Sequence, residues 1–553
     1  RIDFAAAEFV WAVLGGLILT FLMRRPVHSM HRLLRSFSTR PLIPALALSA
    51  TLLSIQLAVA SYYGWPVPAL HDEFSYLLAA DTFAAGRATN PTHPAWEFLE
   101  TYHVIWHPTY QSKYPPGNGL VLAAGQVLTG RPIVGIWICL AVSTGLVFWM
   151  LHGWFSTVWS VVGATILICN WPITKLWGQT YYGGVPALMG GLLLFGAAAR
   201  LLRGPCFLNT VWLCCGLMLL AVTRPYEGLV ASLPIVGLIA CTAWTSRTRN
   251  NREWVLWVCL PFGLIMGAGF MTLAWYHWQV TGSPWVWPYR LYEATYTRRT
   301  HPLNTVLALT ELGPRERTIP SLEYESSAAM LRIAETKPGW YAFWKIVRQW
   351  WFHVGLLSTL PLITACSQNL SSCWAAIRGT GHWGRIPTGL AWATIGLVGA
   401  AILLQRTAGH PHYAAPIQPL VLLLIIQGLR ILRTGRIRGY RFGPDLVSWF
   451  TWSVMLFFVL PLGTGTNHPE VRPWSIDRAR IQHELEQRPR PQLVIVRYNP
   501  KHSMHEEWVY NRADINRAQV VWARDLSPER TQQLIKLFPD REVTILERPA
   551  GKP

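Results

Sequence analysis

The chain has 553 residues, of which 51% are hydrophobic and 14% are charged, and its mean hydropathy is +0.25. This composition excludes an ordinary soluble protein and is typical of polytopic membrane proteins. The formal net charge of +20 does not require nucleic acid, because Lys and Arg also collect in cytoplasmic loops and beside anionic lipid headgroups. We therefore expect the lipid bilayer as a partner, and no nucleic acid.

An apolar run of roughly 17 to 25 residues is needed to cross about 30 Å of hydrocarbon. Twelve runs near this length are predicted as spans: 5–23, 42–62, 132–151, 156–171, 183–202, 207–223, 227–245, 254–278, 346–366, 387–405, 414–432 and 446–462. A further stretch, Gly117–Leu128, is short for a span, and we expect a helix that dips into or lies on the outer leaflet. The predicted fold class is an all-α polytopic membrane protein with about 12 to 13 transmembrane helices.

Arginine-rich loops orient the predicted spans. Three of these loops are short and are therefore expected on the cytoplasmic side: 24–41, 246–253 and 430–445. The outer face then receives two large loops, 63–131 and 279–345. The tail beyond the last span falls on the same face.

A pair of carboxylates, Asp72 and Glu73, opens the first outer loop directly after His71. Apolar residues recur behind the pair at helical spacing, which predicts an amphipathic helix lying on the membrane. Asp72 is expected at or near the N-cap, where free backbone N–H groups favour an ionised carboxylate. The alternative is that the pair only caps an interfacial helix.

The same loop ends in Lys113-Tyr114-Pro115-Pro116-Gly117. Tandem prolines fix φ and cannot continue a helix, so they predict a rigid bend that holds Lys113 near the headgroup level. A lysine that snorkels to the interface is the alternative.

Three histidines of this loop raise the question of a metal site: His93, His103 and His107. Their irregular spacing matches no standard ligand pattern. No metal ligand and no cofactor are predicted, and a divalent cation is kept only as the alternative.

Other outer turns combine cations with aromatic residues. They supply Tyr181, Tyr182, Arg224, Glu227, Arg406, His410, His412 and Tyr413. Anchoring at the membrane interface is one interpretation, since Trp, Tyr and Arg are enriched there. However, a charge at a span end that does not face water usually lines a cavity or binds phosphate, which makes Arg224 and Arg406 candidates for that role.

The tail reads as a separate unit. Segments 492–498, 518–524 and 541–546 predict strands, and 527–538 predicts a helix. The sequence therefore predicts two domains, a transmembrane domain over 1–462 and a small extracytoplasmic α/β domain over 463–553.

The order of these features resembles the GT-C glycosyltransferases. The features of this chain that carry the resemblance are an outer Asp-Glu pair, a lysine before Pro-Pro, a late His412-Tyr413-x-x-Pro416 and a C-terminal domain expected outside the cytoplasm. Within that superfamily the chain looks most like the bacterial branch that contains the lipid A aminoarabinose transferase and the protein O-mannosyltransferases. The extra span at 5–23 and the Tyr114 that separates Lys113 from Pro-Pro depart from the pattern.

The resemblance implies a polyprenyl-phosphate-linked sugar as donor, inversion at the anomeric carbon, and a bacterial inner-membrane protein with an extracytoplasmic active site. It implies that Asp72 is the catalytic residue, with Glu73 as the alternative. Lys113, Arg224, Arg406 and Tyr413 are then expected to bind the donor phosphate. The acceptor or sugar pocket is expected to include His71, Tyr181, Tyr182, Glu227, His410 and His412. The acceptor is expected to be a glycolipid or other lipid, a glycan or a protein.

A single carboxylate suits this chemistry. A glycosidase needs two, because it must protonate a poor leaving group. A lipid phosphate leaves as a stable anion, so one base for the acceptor and cations for the phosphate suffice. Two other classes stay open: a non-catalytic accessory subunit of a membrane complex, and a lipid or sugar transporter.

Overall fold

The computed structural model describes residues 2–23, 36–245, 252–296, 333–377, 386–405, 409–436, 439–463 and 472–548. The helices are α1 (Ile2–Leu22), α2 (Leu42–Tyr63), α3 (His71–Ala84), α4 (Trp96–Leu99), α5 (Pro116–Thr129), α6 (Pro132–His152), α7 (Thr157–Ile168), α8 (Val185–Leu201), α9 (Phe207–Ala221), α10 (Pro225–Thr245), α11 (Leu260–Thr281), α12 (Pro288–Tyr296), α13 (Pro338–His353), α14 (Gly355–Ile377), α15 (Ile386–Leu404), α16 (Gln418–Leu432), α17 (Gly443–Gly463), α18 (Pro473–Glu486) and α19 (Pro528–Leu537). The strands are β1 (Asn90–Pro91), β2 (Val104–Ile105), β3 (Thr109–Ser112), β4 (Gln492–Tyr498), β5 (Val520–Arg524) and β6 (Glu542–Arg548). Short 3₁₀ or π turns lie at Phe37–Thr39, Pro172–Trp177, Val255–Cys259 and Pro411–Ile417.

Twelve apolar helices form the bulk of the described chain. Six of them are long and apolar enough to cross a membrane by length and composition, and six more are shorter apolar helices. Eleven of them match predicted spans with shifted ends, and the twelfth lies in the second half of 346–366, which confirms a polytopic α-helical membrane fold with a small C-terminal sheet region.

One predicted span, 346–366, is wrong. It crosses the boundary between α13, which ends at His353, and α14, which begins at Gly355. Gly355 has φ of +67°, a left-handed conformation that interrupts a right-handed helix. The apolar composition of the segment therefore belongs to two helices.

The helix bundle depends on close approaches at glycine. Helix α6 packs against α2, α5 and α8. Gly135 of α6 meets α5 so closely that an added Cβ would overlap the carbonyl group of Val121. Small residues allow helix backbones to approach in this way. The short helix predicted at Gly117–Leu128 is thus confirmed as α5, and it is seated on the bundle through this contact.

Loop 63–131 folds into compact structure between α2 and α6. Helix α3 begins at His71 with Leu70 as its N-cap, so Asp72 lies in the first turn, near the N-cap as predicted, but the helix does not lie on a surface. Most of its side chains are buried, because α5 packs along it and the C-terminal unit covers another side. The expectation of an amphipathic interfacial helix is therefore wrong. Strands β1, β3 and β2 form a small antiparallel sheet that was not predicted.

The C-terminal unit contains a parallel sheet of order β5-β4-β6, with α18 and α19 beside it. The predicted strand 492–498 is confirmed residue for residue, and the other predicted strands and the helix are confirmed with shifted ends. Sequence reasoning missed α18, because its sequence is polar and shows no apolar stripe. The domain boundary and the outer location of this unit stay predictions.

We expect Gly135→Ala to destabilise the bundle by about 1–3 kcal/mol, because the new methyl group overpacks the α5–α6 contact. Gly267→Ala is the matched control, since an added Cβ there meets nothing within 4 Å. The measurement is the thermal unfolding midpoint of each purified variant in one detergent. Equal midpoints for Gly135→Ala and wild type would contradict the close packing of α5 on α6.

Candidate active site

Glu73 stabilises the N-terminal end of α3 through hydrogen bonds to backbone N–H groups. Its Oε2 accepts hydrogen bonds from the backbone N–H of Ala69 at 2.7 Å and of Leu70 at 3.1 Å, while Oε1 accepts from Tyr181 N–H at 2.9 Å. The side chain is buried, with 1% of its surface exposed. These bonds satisfy backbone donors ahead of the helix and join α3 to the turn before α8.

Asp72, one residue earlier, faces different partners. Its Oδ1 lies 2.8 Å from His103 Nδ1, and the same nitrogen lies 3.0 Å from the Tyr114 hydroxyl. Burial alone would raise the pKa of Asp72, but the His103 imidazole, the Lys113 ammonium and the Tyr114 hydroxyl hold that pKa below its usual range. Asp72 is therefore ionised at neutral pH, and about a third of its side chain is accessible.

His103 is held in an unusual conformation. Its φ of +63° is left-handed, which non-glycine residues seldom adopt. Its carbonyl accepts hydrogen bonds from Lys113 N–H at 3.1 Å and from the Ser75 hydroxyl at 2.7 Å, and its N–H donates to the Tyr292 hydroxyl at 3.1 Å. Lys113, just after β3, Ser75 of α3 and Tyr292 of α12 thus hold the His103 backbone, which keeps the imidazole beside Asp72. Strain of this kind persists where surrounding structure enforces it.

Lys113 is buried among aromatic rings. Its Nζ lies 4.3 Å from the ring centroid of Tyr292, 5.0 Å from that of Tyr289 and 5.4 Å from that of Tyr114. Ring faces stabilise an ammonium at these distances. Only 2% of the residue is exposed, so its positive charge acts within the protein, where it also lowers the pKa of Asp72.

Arg224 supplies a second cation from the turn between α9 and α10. Its guanidinium carbon lies 5.2 Å from the ring centroid of Tyr413. Burial would lower the pKa of Arg224, but the neighbouring Tyr76, Glu227 and Tyr413 raise it, so the group stays charged. Glu227 is also buried and accepts a hydrogen bond from Gln405 at 3.0 Å.

A cluster of rings follows at 410–413. His410 stacks on His412 with centroids 5.4 Å apart, and Tyr182 meets His412 edge to face at 5.6 Å. Burial lowers the pKa of His410 to about 4, assisted by Arg348, whose guanidinium lies 3.1 Å from His410 Nδ1. His410 is therefore neutral at pH 7. Asp72 and Arg224 also act on this pKa, which shows that the cluster shares one electrostatic site with them.

The structure thus brings together most of the predicted site residues. One group shares contacts or electrostatic interactions around Asp72: Lys113, Tyr182, Arg224, Glu227, His410, His412 and Tyr413. Tyr181 lies at the edge, where its hydroxyl donates to the Pro66 carbonyl at 2.8 Å. Arg406 falls outside the described residues.

Sequence reasoning did not assign roles to His103, Tyr114, Tyr292 or Arg348. The roles of the first three depend on how the loops fold in space, and no periodic pattern in the sequence predicts that. Arg348 carried a signal, since an arginine inside the predicted span 346–366 is costly in hydrocarbon.

The loop histidines do not converge. His93 lies 3.1 Å from Asn516 and stacks on Phe538, whereas His107 meets Trp96 edge to face. In the part of the chain that the structure describes, no group of three or more His, Cys, Asp or Glu side chains is arranged to hold a metal ion.

The C-terminal unit packs against α3 and hydrogen-bonds to it. Tyr510 stacks on Phe74 with ring centroids 4.0 Å apart and planes 2° apart, and its hydroxyl hydrogen-bonds His71 Nδ1. Arg478 lies 4.9 Å from the Phe74 ring and donates to the Tyr510 carbonyl. Near the other end of α3, Asp81 accepts from Ala513 N–H at 2.8 Å. His71, predicted in a sugar pocket, therefore links α3 to this unit.

An apolar groove of about 510 Å³ opens between α9, α10 and α11, and we call it the α9–α11 groove. Its lining includes Leu220, Leu229, Phe270 and Trp285. Ala221, Leu273, His277 and Trp287 line both this groove and a small separate pocket, of about 10 Å³, that Lys113 also lines. These four residues therefore lie between the groove and one of the two cations.

Fold and site together define a polytopic membrane protein with an ionised carboxylate, a buried lysine and a half-buried arginine. No family model matches the chain, and no curated protein matches it in sequence. Among solved structures it is similar to ArnT from Cupriavidus metallidurans in the apo state, with 12% identity, a TM-score of 0.47, and coverage of 90% of this chain and 92% of that one. ArnT bound to undecaprenyl phosphate matches with 12% identity, a TM-score of 0.46, and coverage of 91% and 89%.

The Archaeoglobus fulgidus oligosaccharyltransferase in the apo form is similar at 10% identity, with a TM-score of 0.43 and coverage of 86% of this chain and 64% of that one.

We expect Tyr510→Ala to loosen α3, because it removes the ring that covers Phe74 and the hydroxyl that contacts His71. Losing a buried aromatic ring costs about 3–5 kcal/mol of packing. Hydrogen exchange measured by mass spectrometry should rise over α3 while β4 stays protected. Ile535→Ala, on the exposed side of α19 in the same unit, is the control. Unchanged exchange over α3 in Tyr510→Ala would show that the C-terminal unit does not hold this helix.

Proposed function

We propose that the protein is a glycosyltransferase that moves a sugar from a polyprenyl-phosphate donor to an acceptor hydroxyl or amine. The observation that carries this proposal is the placement of Asp72, an ionised carboxylate whose pKa Lys113 lowers, in a site where both Asp72 and Arg224 act on His410. A base and two cations are the groups that such a displacement requires.

In the proposed reaction Asp72 takes the proton from the acceptor. The acceptor oxygen or nitrogen attacks the anomeric carbon, and the bond from that carbon to the phosphate oxygen breaks. Attack from the side opposite the phosphate inverts the anomeric configuration. Lys113 and Arg224 stabilise the charge on the departing lipid phosphate.

Asp72 is a better candidate for the base than Glu73. Both oxygens of Glu73 accept backbone hydrogen bonds that fasten α3, so protonating it would break those bonds. Asp72 has a partly accessible carboxylate whose partner, His103, orients it. We assign Glu73 to positioning.

The α9–α11 groove supports a lipid-linked donor. Its walls are largely apolar, and four of its residues also line the small separate pocket beside Lys113. A polyprenyl chain lying in the groove would bring its phosphate to this cation while its hydrocarbon stays out of water. Tyr182, His410 and His412 are then the side chains that we assign to contact with the donor sugar.

An acceptor and an orientation complete the proposal. The acceptor is a lipid, a glycan or a protein, and the site faces the outside of a bacterial inner membrane. Mass spectrometry of glycans and glycolipids in cells with and without the protein would name the sugar and the acceptor class. A single new glycoconjugate supports the proposal, and identical profiles would favour an accessory subunit or a transporter.

We expect Asp72→Asn to lower transfer by about 10²- to 10⁴-fold, because the amide cannot accept the acceptor proton. The measurement compares glycoconjugates in cells that carry wild type, Asp72→Asn or Asp477→Asn. Asp477 is an exposed carboxylate on α18 and is the matched control. A folded, fully active Asp72→Asn protein would rule out Asp72 as the base.

We expect Lys113→Met and Arg224→Met to weaken binding of undecaprenyl phosphate. A hydrogen bond to a charged group is worth about 1.5–3 kcal/mol, which corresponds to about 10- to 150-fold in affinity. Arg517→Met removes a fully exposed arginine and is the control.

The binding measurement uses full-length protein in nanodiscs with undecaprenyl phosphate and, separately, undecaprenol. The variants should differ from wild type for the phosphate and match it for the alcohol. Asp72→Asn should bind the phosphate like wild type. Unchanged phosphate binding by both cation variants would contradict the proposed donor site.

A further inference from the structure

A second cavity, of about 390 Å³, lies between loop 63–131 and α12, and we call it the Glu100 cavity. Trp96, Glu100, Trp106, His107, Tyr292 and Tyr296 contribute to its lining. This volume is in the range of small-molecule sites. None of these residues lines the α9–α11 groove, so the two spaces are distinct.

The lining combines aromatic rings with a few polar groups. Glu100 is a buried carboxylate, with 2% of its surface exposed. Trp106 is also buried, and its indole N–H has no hydrogen-bond partner within the described part of the chain. A buried donor that lacks a partner requires an explanation, and a bound polar ligand provides one.

The lining also restricts the class of ligand. A lipid chain would leave the Trp106 N–H buried against hydrocarbon, which is costly. An inorganic anion would be repelled by the Glu100 carboxylate. A pyranose ring satisfies both requirements, because its C–H faces pack on aromatic rings and its hydroxyls bond to carboxylate, imidazole and indole groups.

The Glu100 cavity shares a wall with the candidate active site. Tyr292 lines the cavity, its ring lies 4.3 Å from Lys113 Nζ, and its hydroxyl accepts from His103 N–H. His103 in turn contacts Asp72. Tyr292 and His103 therefore stand in succession between a ring in the cavity and the carboxylate, so that ring is not the one that reacts.

We propose that the Glu100 cavity binds a sugar ring of the acceptor, next to the unit that receives the transferred sugar. The acceptor is then a glycan or glycolipid with at least two rings, rather than a protein side chain. The role as an acceptor subsite rests on the proposed function, whereas sugar binding itself does not.

Saturation-transfer NMR on the full-length protein tests sugar binding directly. The probes are methyl β-glucopyranoside, methyl β-N-acetylglucosaminide and chitobiose at about 10 mM, a concentration suited to weak single-site binding. Lipid nanodiscs replace glucoside and maltoside detergents, because the sugar headgroups of those detergents would compete. We expect saturation of ring protons for at least one probe.

Two variants assign the signal to the cavity. Trp96→Leu removes a half-buried wall, and Glu100→Gln removes the charge, so each should reduce the signal at least about fivefold. Trp340→Leu changes an exposed tryptophan on α13 and should leave the signal unchanged. Thermal unfolding midpoints identify any variant that fails to fold, and the half-buried Trp96 position is the more tolerant of the two.

Asp72→Asn separates this inference from the proposed function, because it should bind the probes like wild type while transfer is lost. Absence of saturation for all three probes would overturn the inference. So would a signal that persists in folded Trp96→Leu and Glu100→Gln. Binding that depends on both residues in a protein without transferase activity would leave the sugar site standing and refute the proposed function.

Discussion

The contact between Asp72 and His103 is the interaction on which the rest of the site depends. It joins a helix to a loop 31 residues further along, and it requires His103 to keep a left-handed backbone. That backbone is enforced by bonds from Lys113, Ser75 and Tyr292, so the cation, the carboxylate and the wall of the second cavity are set by one histidine. Displacing His103 would disturb all of them together.

A second constraint comes from the burial of α3. A helix that carries two adjacent carboxylates is expensive to cover unless each charge has partners. Glu73 has them in backbone N–H groups, and Asp72 has them in His103 and Tyr114. Asp81, further along, is satisfied by the C-terminal unit. The polar content of α3 is thus explained by packing on several sides, and not by exposure to water.

The sequence predicted much of this fold because hydrocarbon and buried sheets impose strong patterns. The apolar runs located the membrane helices, and Gln492–Tyr498 read as a strand because its apolar run is continuous and β-branched. The choice of Asp72 and Lys113 came from charge placed against an apolar background. The partners of these residues depend on loop geometry, and no local period indicates that His103 turns toward Asp72 or that Tyr510 covers Phe74. A break such as Gly355 was hidden because glycine is common in membrane helices.

The contact between the C-terminal unit and α3 also affects the order in which the protein assembles. His71 and its partner Tyr510 are 439 residues apart in the chain. At synthesis rates of about 5–20 residues per second, roughly 20–90 seconds separate their emergence. During that interval Phe74 has no ring to stack on, and Asp72 stands on a helix that lacks its cover. The newly made chain therefore reaches the membrane before α3 is fully covered, and the docking of the C-terminal unit on this helix is among the last events of its biogenesis.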